Sequence, residues 1–127
     1  ERLLHEPALI GTAVDELLRY ESPLQLNNRL LTAPVNLRGT VLREGSFVTL
    51  GVGAANRDPE AFPDPDRLDI ARKPNLHVAF GHGAHACAGM NVARLEGRIA
   101  IGAMAAASSW WRSAHRLWAI RYPGYSS

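Results

Sequence analysis

Cys87 is the only cysteine of the 127 residues and the side chain with the widest chemical reach. It stands in "AFGHGAHACAGMNVARLEG", with Gly81 and Gly83 before it, Gly89 after it and a helical pattern downstream. That places the thiol where a glycine-rich loop enters a helix. Backbone N–H groups at a helix start are unpaired, and the helix dipole is positive there. Both favour thiolate over thiol. The glycines let backbone approach a flat ligand without a Cβ in the way. Phe80 is placed to cover the sulfur and exclude water. A buried thiolate without a cation is costly, so a metal ion is a natural partner.

A haem iron with one thiolate ligand meets that need. Three other readings stay open on the residues alone. A lone cysteine is commonly a small core hydrophobe. His82 and His85 with Cys87 suggest zinc, but these ligands crowd one short stretch and no second ligand pair follows elsewhere. A Cys–His nucleophile lacks a visible third partner. Two further sites are equally ambiguous. Glu16 and Arg19, three apart on a helix, read as a surface ion pair. Arg29 reads as a solvated strand arginine.

The elements that must position these residues follow from periodicity. Leu9, Ile10, Ala13, Val14, Leu17 and Leu18 recur at helical spacing. With Pro7 suited to the first turn and Pro23 at the exit, a helix is predicted from about 7 to 20. From Leu26 to Val52, turn signals at Arg38-Gly39 and Glu44-Gly45 separate short β-branched segments. Three or four strands in a small antiparallel sheet are predicted. "AANRDPEAFPDPDRLDI" predicts an irregular, surface-wrapping segment. "AGMNVARLEGRIAIGAMAAA" (Ala88 to Ala107) predicts a second long helix.

Residues 108–127 differ in composition: they hold all three tryptophans and no acid. They are expected to be a divergent aromatic and basic tail, from a changed reading frame or cloning, or a partner-binding segment. The net charge of +2 gives no reason to expect nucleic acid or an anionic membrane as partner. No apolar run is long enough to span a bilayer, and one cysteine fits a reducing compartment. A cytoplasmic location is expected.

Phe80-Gly81-His82-Gly83-Ala84-His85-Ala86-Cys87-Ala88-Gly89 resembles the haem-binding signature of the cytochrome P450 family, F-x-x-G-x-x-x-C-x-G, at every fixed position. Glu16-Leu17-Leu18-Arg19 resembles the family's E-x-x-R pair, and "FPDPDRLDI" its meander. The resemblance implies an α+β, mostly helical chain, the carboxyl-terminal third of the P450 fold. Its parts would be an E-x-x-R helix, a small antiparallel sheet, a meander, a cysteine loop and a long helix. Residues 1–107 would be the haem-binding part, with the likeness failing in the tail.

It further implies haem b with Cys87 as axial thiolate. Phe80, Gly81, Gly83, His85, Ala88, Gly89 and Ala93 would line the cofactor, and Arg29 and His85 would meet its propionates. Glu16, Arg19 and Arg67 would form a buried structural triad. Leu24, Gln25 and Leu26 would form a substrate wall, although both leucines are equally readable as core. The implied activity is a monooxygenase acting on a small apolar substrate, with electrons from a ferredoxin or flavin reductase. Arg94 and Arg98 are candidates for that docking surface; a solvated helix face is the plainer reading. The resemblance places the long distal helix ahead of residue 1, so the isolated chain is expected to be inactive. A haem-free truncated fragment, at most an interaction module, is the alternative.

Overall fold

The computed structural model describes residues 2–121, with side chains to residue 108. A short helix, α1 (Arg2–His5), leads through a 3-10 turn at Pro7–Leu9 into α2 (Ile10–Tyr20). Pro7 stands where no helical N–H is needed. The apolar spacing then turns Ala13 and Val14 inward, together with Glu16 and Arg19. Helix α2 closes as Glu21 N–H donates to Leu17 O and the Ser22 hydroxyl donates to Leu18 O. These bonds satisfy carbonyls that a helix end leaves open.

Four strands follow: β1 (Leu26–Leu30), β2 (Val35–Leu37), β3 (Thr40–Leu42) and β4 (Phe47–Gly51). They do not form the single sheet expected from the sequence. β1 pairs antiparallel with β4, Arg29 opposite Val48, and β2 pairs only with β3. The physical reason lies in the turn. Arg38 and Gly39 both take positive φ, 47° and 87°, and join Leu37 directly to Thr40. That geometry closes a two-residue hairpin on itself. Asn36 Oδ1 secures it by accepting from Gly39 N–H at 3.0 Å.

Helix α3 (Val52–Ala55) carries the chain from β4 into the irregular segment, whose bonds are turns rather than ladders. A 3-10 turn at Gly83–His85 precedes α4 (Met90–Arg121). Helix α4 starts near the predicted position and runs on past residue 107, so the backbone stays helical into the tail. The side chains that set the tail apart from residue 109 onward lie outside those described. Helices α2 and α4 pack closely because Gly97 faces Val14; a Cβ there would come within 3.0 Å of Val14 Cγ1. The buried apolar core among the described residues is small: Ala13, Val14, Val52 and Phe62.

Candidate cofactor site

The base of the site is polar and fully enclosed. Glu16 and Arg19 are both 0% exposed, which excludes the surface-pair reading. Arg19 Nε and Nη2 donate to the two Glu16 oxygens at 2.8 and 2.9 Å, a bidentate pair. Arg19 Nη1 also donates to the carbonyls of Asn56 and Pro65, both at 2.8 Å. Glu16 further accepts from Asp69 N–H at 2.9 Å and from Asn75 Nδ2 at 3.1 Å. The second arginine on Glu16 is Arg72, whose Nε lies 3.1 Å from both carboxylate oxygens.

That corrects the expectation for Arg67. Its side chain is exposed, and it contributes only its carbonyl, which accepts from Arg19 Nη2 and Arg72 Nη2. The reason is local. Arg67 N–H is spent in a turn on Asp64 O, whereas the next turn, from Asp69 O to Arg72 N–H, swings residue 72 back beneath Glu16. Burial pushes the Glu16 carboxyl up. The Arg19 bond, the Asp69 amide and Arg72 outweigh that and hold it below the ordinary value. It remains an anion among cations, the condition under which such burial is tolerated.

This network carries the cysteine loop. Asn56, also 0% exposed, donates to Ser22 Oγ at 2.6 Å and accepts from Val78 N–H at 2.8 Å. Gly81 N–H then donates to Val78 O, and Cys87 N–H donates to Phe80 O, both at 2.8 Å. Met90 N–H and Ala93 N–H donate to Cys87 O and Gly89 O as α4 begins. Cys87 is therefore at a helix entrance, as its surroundings in the sequence predict. It is exposed, so it is not a core residue in this structure.

Two of the loop glycines take a backbone conformation that L side chains rarely adopt. Gly81 takes φ +73°, and a Cβ there would meet His85 O at 3.1 Å; Gly83 takes φ +68°. At Gly89 a Cβ would stand 3.8 Å from Cys87 Sγ, so its absence opens the space beside the sulfur. Ala88 is exposed and Ala93 half-buried.

Arg29 and His85, distant in sequence, line one cavity of about 410 Å³ with Gly81, His82, Asn27 and the β4–α3 junction. Arg29 Nη1 is steadied by Asn27 Oδ1 at 2.9 Å and Asn28 O at 2.8 Å. The wall residues divide. Leu24 and Leu26 are 50% and 60% exposed, so neither is core in this structure. The Gln25 amide is turned back on the chain: it donates to Ser22 O at 2.6 Å and abuts Gly53, where a Cβ would collide with it. Among the described residues, no set of three or more His, Cys, Asp or Glu is placed to hold a metal ion.

The cytochrome P450 family model matches residues 8–106. The chain belongs to the cytochrome P450 family. It is 52% identical over 100 residues to the biotin biosynthesis cytochrome P450 of Bacillus subtilis, covering 79% of this chain and 25% of that protein. It is 48% identical over 101 residues to the vitamin D(3) 25-hydroxylase of Pseudonocardia autotrophica, again 79% of this chain and 25% of that protein. CYP109E1 from Bacillus megaterium, solved in complex with corticosterone, superposes with a TM-score of 0.80 at 42% identity, over 83% of this chain and 28% of that one. The chain thus spans about a quarter of the length of the curated relatives it matches.

A P450 segment implies haem, and the donor set here fits it. One exposed sulfur on a glycine loop offers a single donor atom, which fits a metal whose other ligands come with the cofactor. Arg29 and His85 around one cavity offer hydrogen-bond donors to carboxylates.

Several residues of the frame were missed in the sequence. Asn56, Arg72 and Asn75 gave no periodic signal, because their partners are scattered along the chain: the Ser22 hydroxyl and Val78 N–H for Asn56, the Glu16 carboxylate and three carbonyls for Arg72, and Glu16 for Asn75. Asp15 and His77 were missed as well. Arg94, a candidate for docking, donates from Nε to Asp15 Oδ1 at 2.7 Å. Arg98 lies against Gly11 and lines a groove with Leu3, Leu4 and Ile10. No helix among the described residues is long and apolar enough to cross a membrane.

Proposed function

We propose that this chain is the haem-binding, carboxyl-terminal part of a haem-thiolate monooxygenase. That enzyme inserts one oxygen atom from dioxygen into a small apolar substrate, with electrons from a ferredoxin or flavin reductase. Bound haem b would supply the dioxygen chemistry, with a thiolate on its iron favouring O–O cleavage. Cys87 is that ligand. Phe80, Gly81, Gly83, Ala88, Gly89 and Ala93 shape the backbone around it. Arg29 and His85 would donate hydrogen bonds to the propionates, Arg29 through a fork that matches a carboxylate. Glu16, Arg19 and Arg72 hold the frame beneath the loop. Leu24 and Leu26 offer exposed apolar surface to the substrate.

The observation that supports the reading best is the joining of the cysteine loop to Arg29 in one cavity, through Gly81 and His85. Relatives named for vitamin D(3), and solved with corticosterone or a fatty acyl carrier protein, point to an apolar substrate class.

The test is the spectrum of the reduced, carbon-monoxide-bound holoprotein. A red-shifted thiolate Soret band is expected, and Cys87→Ala is expected to abolish it. A band that survives the substitution removes Cys87 as ligand. The second reading, a haem-free fragment serving as an interaction module, is favoured by the exposed apolar side chains along α4. Haem titration of the 127-residue chain separates the two. Stoichiometric uptake with a thiolate spectrum supports the cofactor site; no uptake supports the fragment.

A further inference from the structure

We propose that Asp15 is a positioning residue for the cysteine loop, holding Arg94 and His77 against Phe80. This rests on the reading of Cys87 as the axial ligand. Asp15 sits on α2, beside the buried Glu16, and no role described above uses it. Its Oδ1 accepts from Arg94 Nε at 2.7 Å and lies 3.4 Å from His77 Nε2. Both partners reach the same ring. The Arg94 guanidinium carbon stands 5.1 Å from the Phe80 centroid, and the His77 ring lies tilted at 52°, 5.9 Å away. The Phe80 carbonyl in turn accepts the Cys87 N–H at 2.8 Å. One carboxylate on α2 is thus linked, through two side chains on different segments, to the amide of the proposed ligand.

The linkage has a physical basis. Arginine is a long side chain with many rotamers, and a free guanidinium is better solvated than stacked. Asp15 fixes one rotamer by a charge-assisted bond, and that rotamer lies over the aromatic face, where a cation is attracted. The His77 side chain is only 2% exposed, so its ring has little room to turn once Asp15 holds Nε2. Asp15 also balances the Arg94 charge close to the cofactor loop.

The holoprotein carrying Asp15→Asn tests this with two readouts. The thiolate Soret band is expected to persist while the reduction potential moves positive, because Arg94 is left uncompensated. In the haem-free protein the Cys87 amide is expected to exchange hydrogen several-fold faster, because Phe80 is less firmly held. Asp15→Glu is expected to restore both in part, which a general loss of packing would not predict. Arg94→Gln gives a second route if the asparagine variant does not fold. It removes the cation itself, so exchange again quickens but the potential moves negative. A persistent thiolate band with either readout unchanged overturns the role of Asp15 and leaves the ligand assignment standing. Absence of the band in the unsubstituted holoprotein overturns the ligand assignment, and this proposal with it.

Discussion

Arg67 and Arg72 belong to the same irregular segment, and only Arg72 reaches Glu16. The two therefore make opposite predictions. Arg72→Ala removes one of two cations from a carboxylate that is 0% exposed, and Glu16→Gln leaves Arg19 buried without its anion. Breaking such a pair costs about 3–5 kcal/mol. Arg67→Ala keeps the carbonyl that the network uses and is expected to change stability by less than ~0.5 kcal/mol. Urea unfolding of the three variants checks the ranking; an Arg67 variant as damaged as Arg72 would contradict it. The same residues set a pH dependence. Burial lowers the His77 pKa from 6.5, more than its bond to Asp15 raises it. Glu16 and Asp15 are held below 4.5 and 3.8, because their arginine and other polar partners outweigh burial. Each group therefore binds protons more weakly folded than unfolded, so stability is highest above these ordinary values and falls on acidification. Loss is expected to begin below pH 6.5 as the unfolded His77 takes up its proton, and to steepen below 4.5 as Glu16 follows. Thermal melts across that range check it, and His77→Gln is expected to remove the upper part of the slope.

At the scale of elements, Gly97 on α4 sets how near α2 can come. A methyl group there would meet Val14 Cγ1 at 3.0 Å, and a buried β-branched side chain has little rotamer freedom to give way. Gly97→Ala gains helix propensity but overpacks the α2–α4 contact, at about 1–3 kcal/mol. Val14→Ala opens space, so the double variant is expected to be more stable than the sum of the two losses. Unfolding free energies of the four proteins form the cycle; strict additivity would show that Gly97 does not control the approach. This contact also shows what the sequence made legible. Helix α2 and the start of α4 followed from apolar spacing, and the cysteine loop from its glycines, because local geometry determines them. The hairpin turn was legible at Arg38-Gly39, but the separation of the strands into two ladders was not, since pairing partners lie outside any local window. Arg72, Asn56 and Asn75 escaped for a related reason. A polar side chain whose partners lie far off in sequence leaves no period, and only the folded path of residues 56–77 decides which arginine turns inward.

At the scale of the whole molecule, the exposed area decides how the 127-residue chain behaves alone. Its accessible surface is 9525 Å² at 13.8 kDa, where a folded monomer of that mass is expected to show about 6,600 Å². Several large apolar side chains are exposed, and they are arranged in order. Val92, Leu95 and Ile99 on α4 are 59%, 57% and 64% exposed at helical spacing, and Leu26, Leu30 and Phe47 on the β1–β4 ladder are at least 60% exposed. Contiguous apolar surface of this kind is uncommon on stable monomers and marks an interaction face. In relatives about four times as long, the matched segment is one part of a larger fold. The chain by itself is therefore expected to bind a hydrophobic dye strongly and to self-associate with rising concentration. Leu95→Glu with Ile99→Glu is expected to weaken both while leaving the Glu16 network intact, because both side chains are more than half exposed and neither is among that network's hydrogen-bond partners. Sedimentation velocity and dye fluorescence on the chain and the double variant supply the measurement. A monomeric chain that leaves the dye dark would show that these side chains are covered in solution, and that the segment is more self-sufficient than its surface implies.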